Sequence, residues 1–293
     1  MLGFGVLLVS VQLITAEVIN GDKCGKNKFL DPQVSTRIAG GQISDGLKTW
    51  PWACSFGDGF EKGNTWKHNC GATLITPKHA LTAAHCVTKF LSGSKPKIWE
   101  KKIRCGDFNL KNDTDNDEVQ IQSFSDYKIH EKFEHLSAHF DIAILYIQTP
   151  FIVNQFVRTI CLQSPMPIEK EGTVIVVGWG RDENYERGNE LKQTTMQMLT
   201  PQICDNTVSK LNIRSRFGQD LFCAIDPLYE RSGTGTRQGD SGGPLFSLNY
   251  STKRYELKGI VNGGKVGEPD YNTRTSFPEI HNWIVTNIKG EKR

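Results

Sequence analysis

The 293-residue sequence lacks any apolar run of the roughly 20 residues that a membrane span needs. It also lacks an excess of charge of one sign, because its formal net charge is only +3. Its lysines and arginines do not alternate with aromatic residues, as they do in many nucleic-acid-binding segments. Neither a nucleic acid nor a membrane is therefore an expected partner. An apolar content of 38% indicates a globular protein with a sizeable core.

An apolar stretch at the N-terminus, MLGFGVLLVSVQLITA, ends at the small residue Ala16 before the polar Glu17. This pattern is typical of a secretory signal peptide, so residues 1–16 are expected to be removed and the protein to be secreted and extracellular. The stretch departs from the usual pattern, because it has no basic residue at its start and Ile14 lies three residues before the cut. A membrane anchor is the alternative, which the short length of the stretch disfavours.

Eight cysteines follow this segment, an even number that fits disulfide bonding in an oxidising compartment. Two Asn-x-Ser/Thr triplets begin at Asn112 and Asn249. In a secreted protein they predict glycosylated surface loops, although such triplets also arise by chance.

Helical periodicity is scarce outside the C-terminus. Short apolar runs such as ATLI (72–75), DIAILYI (141–147) and TVIVV (173–177) are separated by clusters of Gly, Pro, Asn and Asp, a pattern typical of an all-β barrel or sandwich. At the C-terminus, Ser276 and Glu279 have the spacing of a capping box. The residues expected on one helix face are Phe277, Ile280, Trp283, Ile284 and Ile288.

A single serine lies among glycines in the segment GTRQGDSGGPL, residues 235–245. A serine hydroxyl is a weak nucleophile unless a base takes its proton, and the oxyanion formed on attack needs backbone N–H donors close by. Glycine lets the backbone approach a substrate and adopt the turn that such donors require. In this interpretation Ser241 attacks a carbonyl carbon, and the amides of Gly239 and Ser241 form the oxyanion hole.

A base and an acid that orients it are then expected elsewhere in the chain. The segment TAAHC offers His85 among small residues, and FDIAIL offers Asp141 at the start of an apolar strand, where a carboxylate is costly to bury without a partner. Taken alone, each has an ordinary alternative, since His85 can be a core or surface residue and Asp141 a turn former. Together with GDSGGPL they predict a His-Asp-Ser triad.

With these motifs the chain resembles the chymotrypsin-like (trypsin family) serine proteases. The resemblance covers residues 38 to about 290, through IAGG, WPW, LTAAHC, DIAIL, GWG, FCA and GDSGGPL. It implies an all-β fold of two six-stranded antiparallel Greek-key β-barrels with the active site between them, followed by a C-terminal α-helix. It also implies a serine endopeptidase domain at residues 38–293, behind a short leader at residues 17–37.

The same resemblance implies an activation switch. In this family, cleavage before an Ile-x-Gly-Gly segment frees an ammonium group that pairs with the Asp preceding the nucleophile. The implied cut is after Arg37, the new N-terminus is Ile38 and its partner is Asp240, so the encoded chain is expected to be a zymogen. The expected partners are an upstream protease that cuts after Arg, a protein or peptide substrate and a macromolecular inhibitor. A simple nick in an exposed loop is the alternative.

The resemblance also implies how the eight cysteines pair. Cys70–Cys86 and Cys204–Cys223 match two family bridges. Cys24–Cys161 would keep the leader attached after activation. By family position, Cys54 and Cys105 lie on neighbouring strands of the first barrel and are expected to pair.

The specificity pocket departs from the family pattern. The family bridge that braces this pocket would need a cysteine at Arg237 and a partner within residues 261–267, and the sequence has neither. Family members usually have Ser-Trp-Gly where this chain has Asn262, Gly263 and Gly264. A substrate-contacting aromatic is therefore absent, and the support behind Asp141 is expected to be altered.

The charge of the pocket is also unusual. Gly235 stands six residues before Ser241, where trypsin-like enzymes have Asp, which argues against simple Arg/Lys specificity. The segment PDYNTR aligns with the family's Pro-Gly-x-Tyr-Thr-Arg and puts Asp270 on the opposite wall, with Gly264 also in the pocket. The expectation is a broadened preference at P1, the residue before the scissile bond, with tolerance for Arg or Lys. An ordinary acidic turn is the alternative for Asp270.

A calcium site is a further hypothesis. The segment DFNLKNDTDND (107–117) occupies the position of the family's calcium loop, and its oxygen-bearing residues Asp107, Asn109, Asn112 and Asp117 suit Ca²⁺. Thr114 replaces a third acidic residue, and a solvated acidic loop is an equal alternative. No cofactor is expected to be required.

The sequence thus predicts a secreted serine endopeptidase precursor. A secreted binding or regulatory protein on a protease fold, with weak or no peptidase activity, is the alternative that the altered pocket motivates. An esterase is a third possibility, which the activation segment disfavours.

Overall fold

The computed structural model describes residues 19–27, 42–43, 50–61, 65–91, 97–111, 118–166, 172–181, 186, 188–210, 219–226, 235–264 and 269–289. The expected signal peptide, the activation residues Arg37 and Ile38, and the candidate calcium ligands Asn112 and Asp117 lie outside these ranges. Among the described helices, none has the length and apolar character to cross a bilayer.

The described elements are mostly strands. In chain order the strands are β1 Gln42–Ile43, β2 Ala53–Glu61, β3 Thr65–Thr76, β4 His79–Thr82, β5 Lys101–Cys105, β6 Gln120–Gln122, β7 Phe124–Ile129, β8 Ala143–Ile147, β9 Cys161–Leu162, β10 Gly172–Gly178, β11 Lys192–Leu199, β12 Leu221–Ile225, β13 Pro244–Asn249, β14 Arg254–Gly263 and β15 Asp270–Arg274. The helices are α1 Ala84–Thr88, a 3₁₀ turn at Lys97–Glu100, α2 Pro201–Lys210 and α3 Pro278–Lys289.

The strands form two antiparallel barrel-like sheets, which confirms the expected fold. The first has the order β6-β5-β2-β3-β4-β8-β7, and its two end strands do not pair with each other in the described part of the chain. In the second, the path β11-β10-β13-β14-β15-β12 closes because β12 pairs again with β11, so six strands make a closed barrel. The short strands β1 and β9 add to its outside, and β9 runs parallel to β14.

An aromatic cluster packs between the two sheets. Trp52, which precedes β2 of the first sheet, packs edge-on against Phe246 of β13 in the second, with ring centroids 5.3 Å apart. Trp50 and Tyr255 complete the cluster. These contacts pack the two sheets against each other, while a separate apolar cluster that includes Val174, Met196 and Phe222 fills the closed barrel.

The four expected disulfide bonds are present, and no described cysteine is free. Cys54 and Cys105 are directly opposite each other on β2 and β5, with Cα atoms 4.4 Å apart. Cys24 joins the leader to Cys161 on β9. The leader is further held by Asn20, whose side chain exchanges hydrogen bonds with the backbone of Leu162.

The C-terminal helix forms as expected, except at its start. Ile280, Trp283, Ile284 and Ile288 are buried, and Phe277 packs against the same core. The helix begins with Pro278 in its first turn, where a missing N–H costs nothing. The expected capping box is wrong, because Ser276 Oγ accepts a hydrogen bond from Arg274 and Glu279 pairs with Lys132 at 2.6 Å.

Candidate active site

His85 and Asp141 lie at the ends of two paired strands. Thr82 of β4 is opposite Ala143 of β8, so α1 after β4 and the residue before β8 meet at one edge of the first sheet. His85 Nδ1 is 2.6 Å from Asp141 Oδ2, and the backbone N–H of His85 donates to Asp141 Oδ1 at 2.8 Å. Asp141 is only 2% exposed, so its carboxylate is buried against this one histidine.

Ser241 lies beside His85, around the Cys70–Cys86 disulfide. The sulfur of Cys86 is 3.7 Å from His85 Nε2 and 3.7 Å from the backbone oxygen of Ser241. The Gly71 N–H on β3 donates to that same oxygen at 2.8 Å, which ties the serine of the second sheet to the first. The serine hydroxyl itself donates to the carbonyl of Asn262 at 3.2 Å.

The proposed oxyanion donors face no internal acceptor. Within the described residues, the backbone N–H groups of Gly239 and Ser241 take part in no hydrogen bond. Gly239 has φ 111°, a conformation that residues with a side chain rarely adopt. Two unpaired N–H groups two residues apart are what a developing oxyanion needs.

A hydrogen-bonded relay that the sequence did not reveal supports Gly239. The carbonyl of Gly239 can only accept, so His68 Nε2 donates to it at 2.9 Å and His68 Nδ1 accepts from Ser55 Oγ at 2.7 Å. Ser55 Oγ in turn accepts from Trp66 Nε1 at 2.8 Å. The available signal was Ser55, a polar residue that is fully buried within an apolar strand.

Asp240 is half-buried next to the GWG segment. Its carboxylate accepts hydrogen bonds from the backbone N–H groups of Gly180 and Arg237, both at 2.8 Å. A Cβ on Gly178 or Gly180 would overlap this carboxylate, which explains why the tryptophan is flanked by glycines. Burial raises the pKa of Asp240, and the two amides partly offset that increase.

Asp270 lies beside Gly235 and Gly264. Its carboxylate oxygens would be 3.7 Å from a Cβ at Gly235, and a Cβ at Gly264 would overlap one of them. The backbone N–H of Thr236 donates to Asp270 Oδ2 at 2.7 Å. Asp270 is 2% exposed, and burial raises its pKa to about 7 despite the Thr236 hydrogen bond.

The side chain of Asn262 does not reach the carboxylate of Asp141. Its Oδ1 accepts from the backbone N–H and hydroxyl of Thr273, at 3.2 and 2.8 Å, and its Nδ2 donates to the carbonyl of Ala138 at 3.3 Å. Ala138 and Phe140 both have positive φ, 59° and 50°. Asn262 therefore braces the strained backbone that leads into Asp141.

A cavity of about 190 Å³ is lined in part by Gly239 and Gln238. Two tryptophans form part of its walls, and Arg181 contributes positive charge while its Nε donates to Gln238 at 2.8 Å. The residues that line this cavity include Trp66, His68, Trp179, Arg181, Gln238 and Gly239. This cavity has the size for one side chain of a bound peptide.

Two of the four candidate calcium ligands, Asp107 and Asn109, lie within the described residues, and both have partners inside the chain. Asp107 Oδ2 forms an ion pair at 2.5 Å with Arg104, and both side chains are 1% exposed. Asp107 Oδ1 accepts from the backbone N–H of Asn109, and Asn109 Oδ1 accepts from that of Lys111. Oδ1 of each residue therefore has a backbone donor, and the Arg104 guanidinium is the cation beside Asp107 Oδ2.

One other group of metal-ligand residue types lies within the described residues, Cys70, His85 and Cys86. Both cysteines are in a disulfide, so neither offers a thiolate to a metal.

The candidate glycosylation residue Asn249 ends β13 and is engaged internally. Its Nδ2 donates to Glu256 at 2.7 Å, and its Oδ1 accepts from the backbone of Ser251 and Thr252.

A comparison with protein-family models matches the Trypsin family over residues 38–284. The chain therefore belongs to the trypsin family of chymotrypsin-like serine proteases.

Several curated proteins are similar to it. The chain is 30% identical over 302 aligned residues to chymotrypsin-C of Rattus norvegicus, an alignment that covers 96% of this chain and 100% of that protein. It is 29% identical over 247 residues to clotting factor C of Tachypleus tridentatus, which covers 82% of this chain. The chain spans only 24% of the length of that clotting factor.

Proposed function

We propose that the protein is a secreted serine endopeptidase that cleaves peptide bonds through an acyl-enzyme. The observation that carries the proposal is the 2.6 Å contact between His85 Nδ1 and the buried Asp141, next to Ser241. Ser241 is the nucleophile, His85 the general base and then acid, and Asp141 holds the histidine tautomer and stabilises the imidazolium. The four disulfide bonds fit an oxidising, extracellular setting.

In the first half of the reaction, the Ser241 hydroxyl leaves the Asn262 carbonyl and gives its proton to His85 Nε2. The oxygen then bonds to the substrate carbonyl carbon, and the amides of Gly239 and Ser241 stabilise the oxyanion. Collapse breaks the C–N bond, and His85 returns its proton to the leaving amine. In the second half, His85 takes a proton from water, and the water oxygen bonds to the acyl carbon. The ester C–O bond then breaks, the acid product leaves, and His85 returns the proton to Ser241.

The activation mechanism follows from the surroundings of Asp240. The carboxylate is half-buried and desolvation raises its pKa, and two amide donors do not balance a full negative charge. Cleavage after Arg37 creates an ammonium group at Ile38, which pairs with Asp240 and orders the segment that carries the oxyanion donors. The chain is therefore a zymogen, activated by a protease that cuts after Arg.

The specificity pocket accepts a broad set of P1 side chains, among them Arg and Lys. The carboxylate of Asp270 supplies the negative charge, and the missing side chain of Gly235 leaves room in front of it. Calcium is not needed, because Arg104 already neutralises Asp107. The partners are a protein or peptide substrate, the activating protease and a macromolecular inhibitor.

A secreted regulatory homologue without peptidase activity is the second candidate. The Ser241 hydroxyl donates to Asn262 and not to His85, which favours this alternative.

Hydrolysis of a P1-varied peptide library distinguishes the two functions. Protein cleaved after Arg37, with Ile38 confirmed as its N-terminus, should release the leaving peptides, and the Ser241→Ala protein should not. Intact library peptides in both samples would favour the regulatory homologue.

A further inference from the structure

A tyrosine covers the bare backbone at Gly263. Gly263 and Tyr271 are Cα partners in the antiparallel pair β14 and β15, so their side-chain positions lie on the same face of the sheet. A Cβ placed on Gly263 would be 3.0 Å from Tyr271 Oη and 3.3 Å from Cζ. The phenol ring therefore occupies the space where a side chain of residue 263 would begin.

Gly263 lies between two parts of the site, the residue next to the nucleophile and the residue next to the proposed P1 pocket. On one side, the carbonyl of Asn262 accepts from the Ser241 hydroxyl. On the other side, Gly264 contacts the carboxylate of Asp270. When Ser241 attacks a peptide whose P1 side chain lies near Asp270, the residues before P1 therefore lie along residues 262–264.

The segment has an edge open to such a peptide. Strand β13 pairs with β14 only as far as Ile260, and the next residue, Val261, exchanges backbone hydrogen bonds with Gly242 and Gly243. In the described part of the chain, no strand lies beyond that point on this side of Gly263. An extended peptide can add there as a further strand, as peptides do at exposed sheet edges.

The tyrosine offers the right chemistry at this edge. Tyr271 is half-buried, and its hydroxyl has no hydrogen-bond partner among the described residues. Tyrosine supplies a rigid apolar face together with a polar tip, which suits peptide contact. A tyrosine ring with only a packing role would stabilise the fold more if it were fully buried.

We propose that Tyr271 is a specificity-determining residue that favours apolar or aromatic side chains at P2 to P4, by giving them a ring surface that residue 263 itself lacks. This role rests on the proposed endopeptidase activity. It adds to the Asp270 pocket a second determinant, which acts on residues further from the scissile bond.

The test is a side-chain exchange between the two strands. Gly263 does not have positive φ, so its backbone accepts other residues. Gly263→Trp alone should be poorly tolerated, because its Cβ lies 3.0 Å from Tyr271 Oη. Gly263→Trp combined with Tyr271→Ala removes that conflict and returns an aromatic ring to the same place.

The measurement is kcat/KM for two tetrapeptide amides that share P1 and differ only by Phe or Gly at P4, with a second pair varied at P2. In the cleaved wild-type protein the Phe peptide should be favoured about tenfold in at least one pair, a typical value for one apolar contact. Tyr271→Ala should bring that ratio close to one. Tyr271→Phe should keep it, and the exchanged double variant should restore it.

Two controls separate a lost contact from a lost fold. Hydrolysis of a single-residue ester, which has no P2 to P4, should be similar in wild type and Tyr271→Ala. Melting temperatures should also be similar. An unchanged Phe/Gly ratio in an active Tyr271→Ala protein would overturn the role of Tyr271 and leave the endopeptidase intact. Failure of the wild type to hydrolyse any substrate would overturn both.

Discussion

Asp270 and Gly264 approach each other so closely that no side chain fits between them, because a Cβ on Gly264 would overlap the carboxylate. The acid is 2% exposed, and it accepts a hydrogen bond from Thr236 at 2.7 Å. A buried carboxylate with a raised pKa at the side of a substrate pocket links the choice of substrate to pH.

The preference for a basic P1 residue should increase with pH. Since burial raises the pKa of Asp270 to about 7, the group is mostly neutral at pH 6 and mostly ionised at pH 8. The ratio of kcat/KM for a P1 Arg peptide to that for a P1 Leu peptide should therefore rise across this interval. The general base acts in the same way on both peptides, so its contribution cancels in the ratio.

The matched control for this pH effect is Asp270→Asn, which keeps the shape of the side chain. Its Arg/Leu ratio should be low and should not vary with pH. A ratio that is flat in the wild-type protein as well would exclude Asp270 as the acceptor of the basic side chain.

Stability should not depend on calcium. Arg104 and Asp107 form a buried ion pair at 2.5 Å, so the carboxylate has its cation within the chain. The melting temperature should be the same in millimolar CaCl₂ and in EDTA. A higher melting temperature in calcium would show that the loop holds an ion after all.

Loss of Arg104 should be costly. Arg104→Ala leaves the buried Asp107 carboxylate without its partner, and breaking one side of a buried pair lowers the free energy of unfolding by about 3–5 kcal/mol. Replacement of both residues by apolar ones, Arg104→Met with Asp107→Leu, should cost much less. Equal losses in the two proteins, measured by urea unfolding, would argue against the pair as the main stabilising contact.

Asp240→Asn should prevent activation without preventing folding. The amide keeps the size of the side chain but removes the charge and turns one acceptor into a donor, opposite the N–H groups of Gly180 and Arg237. After cleavage at Arg37, kcat/KM should fall by at least about 10²-fold, the magnitude of losing an ordered oxyanion donor. Full activity in this variant would separate Asp240 from the switch.

The leader should stay attached after activation. Cys24 is bonded to Cys161, so cleavage after Arg37 should leave one band on a non-reducing gel and two on a reducing gel. In the double variant Cys24→Ser, Cys161→Ser, the leader should separate without reductant. Separation of the leader from cleaved wild-type protein in the absence of reductant would contradict the bridge.

Much of the fold was predictable because its signals are local. The short apolar runs mark the strands, and the motifs around His85, Asp141 and Ser241 are short enough to recognise in a single chain. The Cys54–Cys105 bridge was predictable from family position. It is confirmed by the β2–β5 register.

The features that the sequence did not reveal depend on distant contacts. The relay from Trp66 to Gly239 joins residues 173 positions apart, and the ring of Tyr271 meets Gly263 only through strand register. The expected capping box did not form because its two residues contact other side chains. Ser276 accepts a hydrogen bond from its near neighbour Arg274, and Glu279 pairs with the distant Lys132.

The most direct test of the account is fluorophosphonate labelling of the purified protein before and after cleavage at Arg37, with Ser241→Ala as the control. The probe reacts with an activated serine and needs no knowledge of the natural substrate. The account predicts labelling that appears only after the cut and is absent from the variant. No labelling of protein with a confirmed Ile38 N-terminus would contradict it.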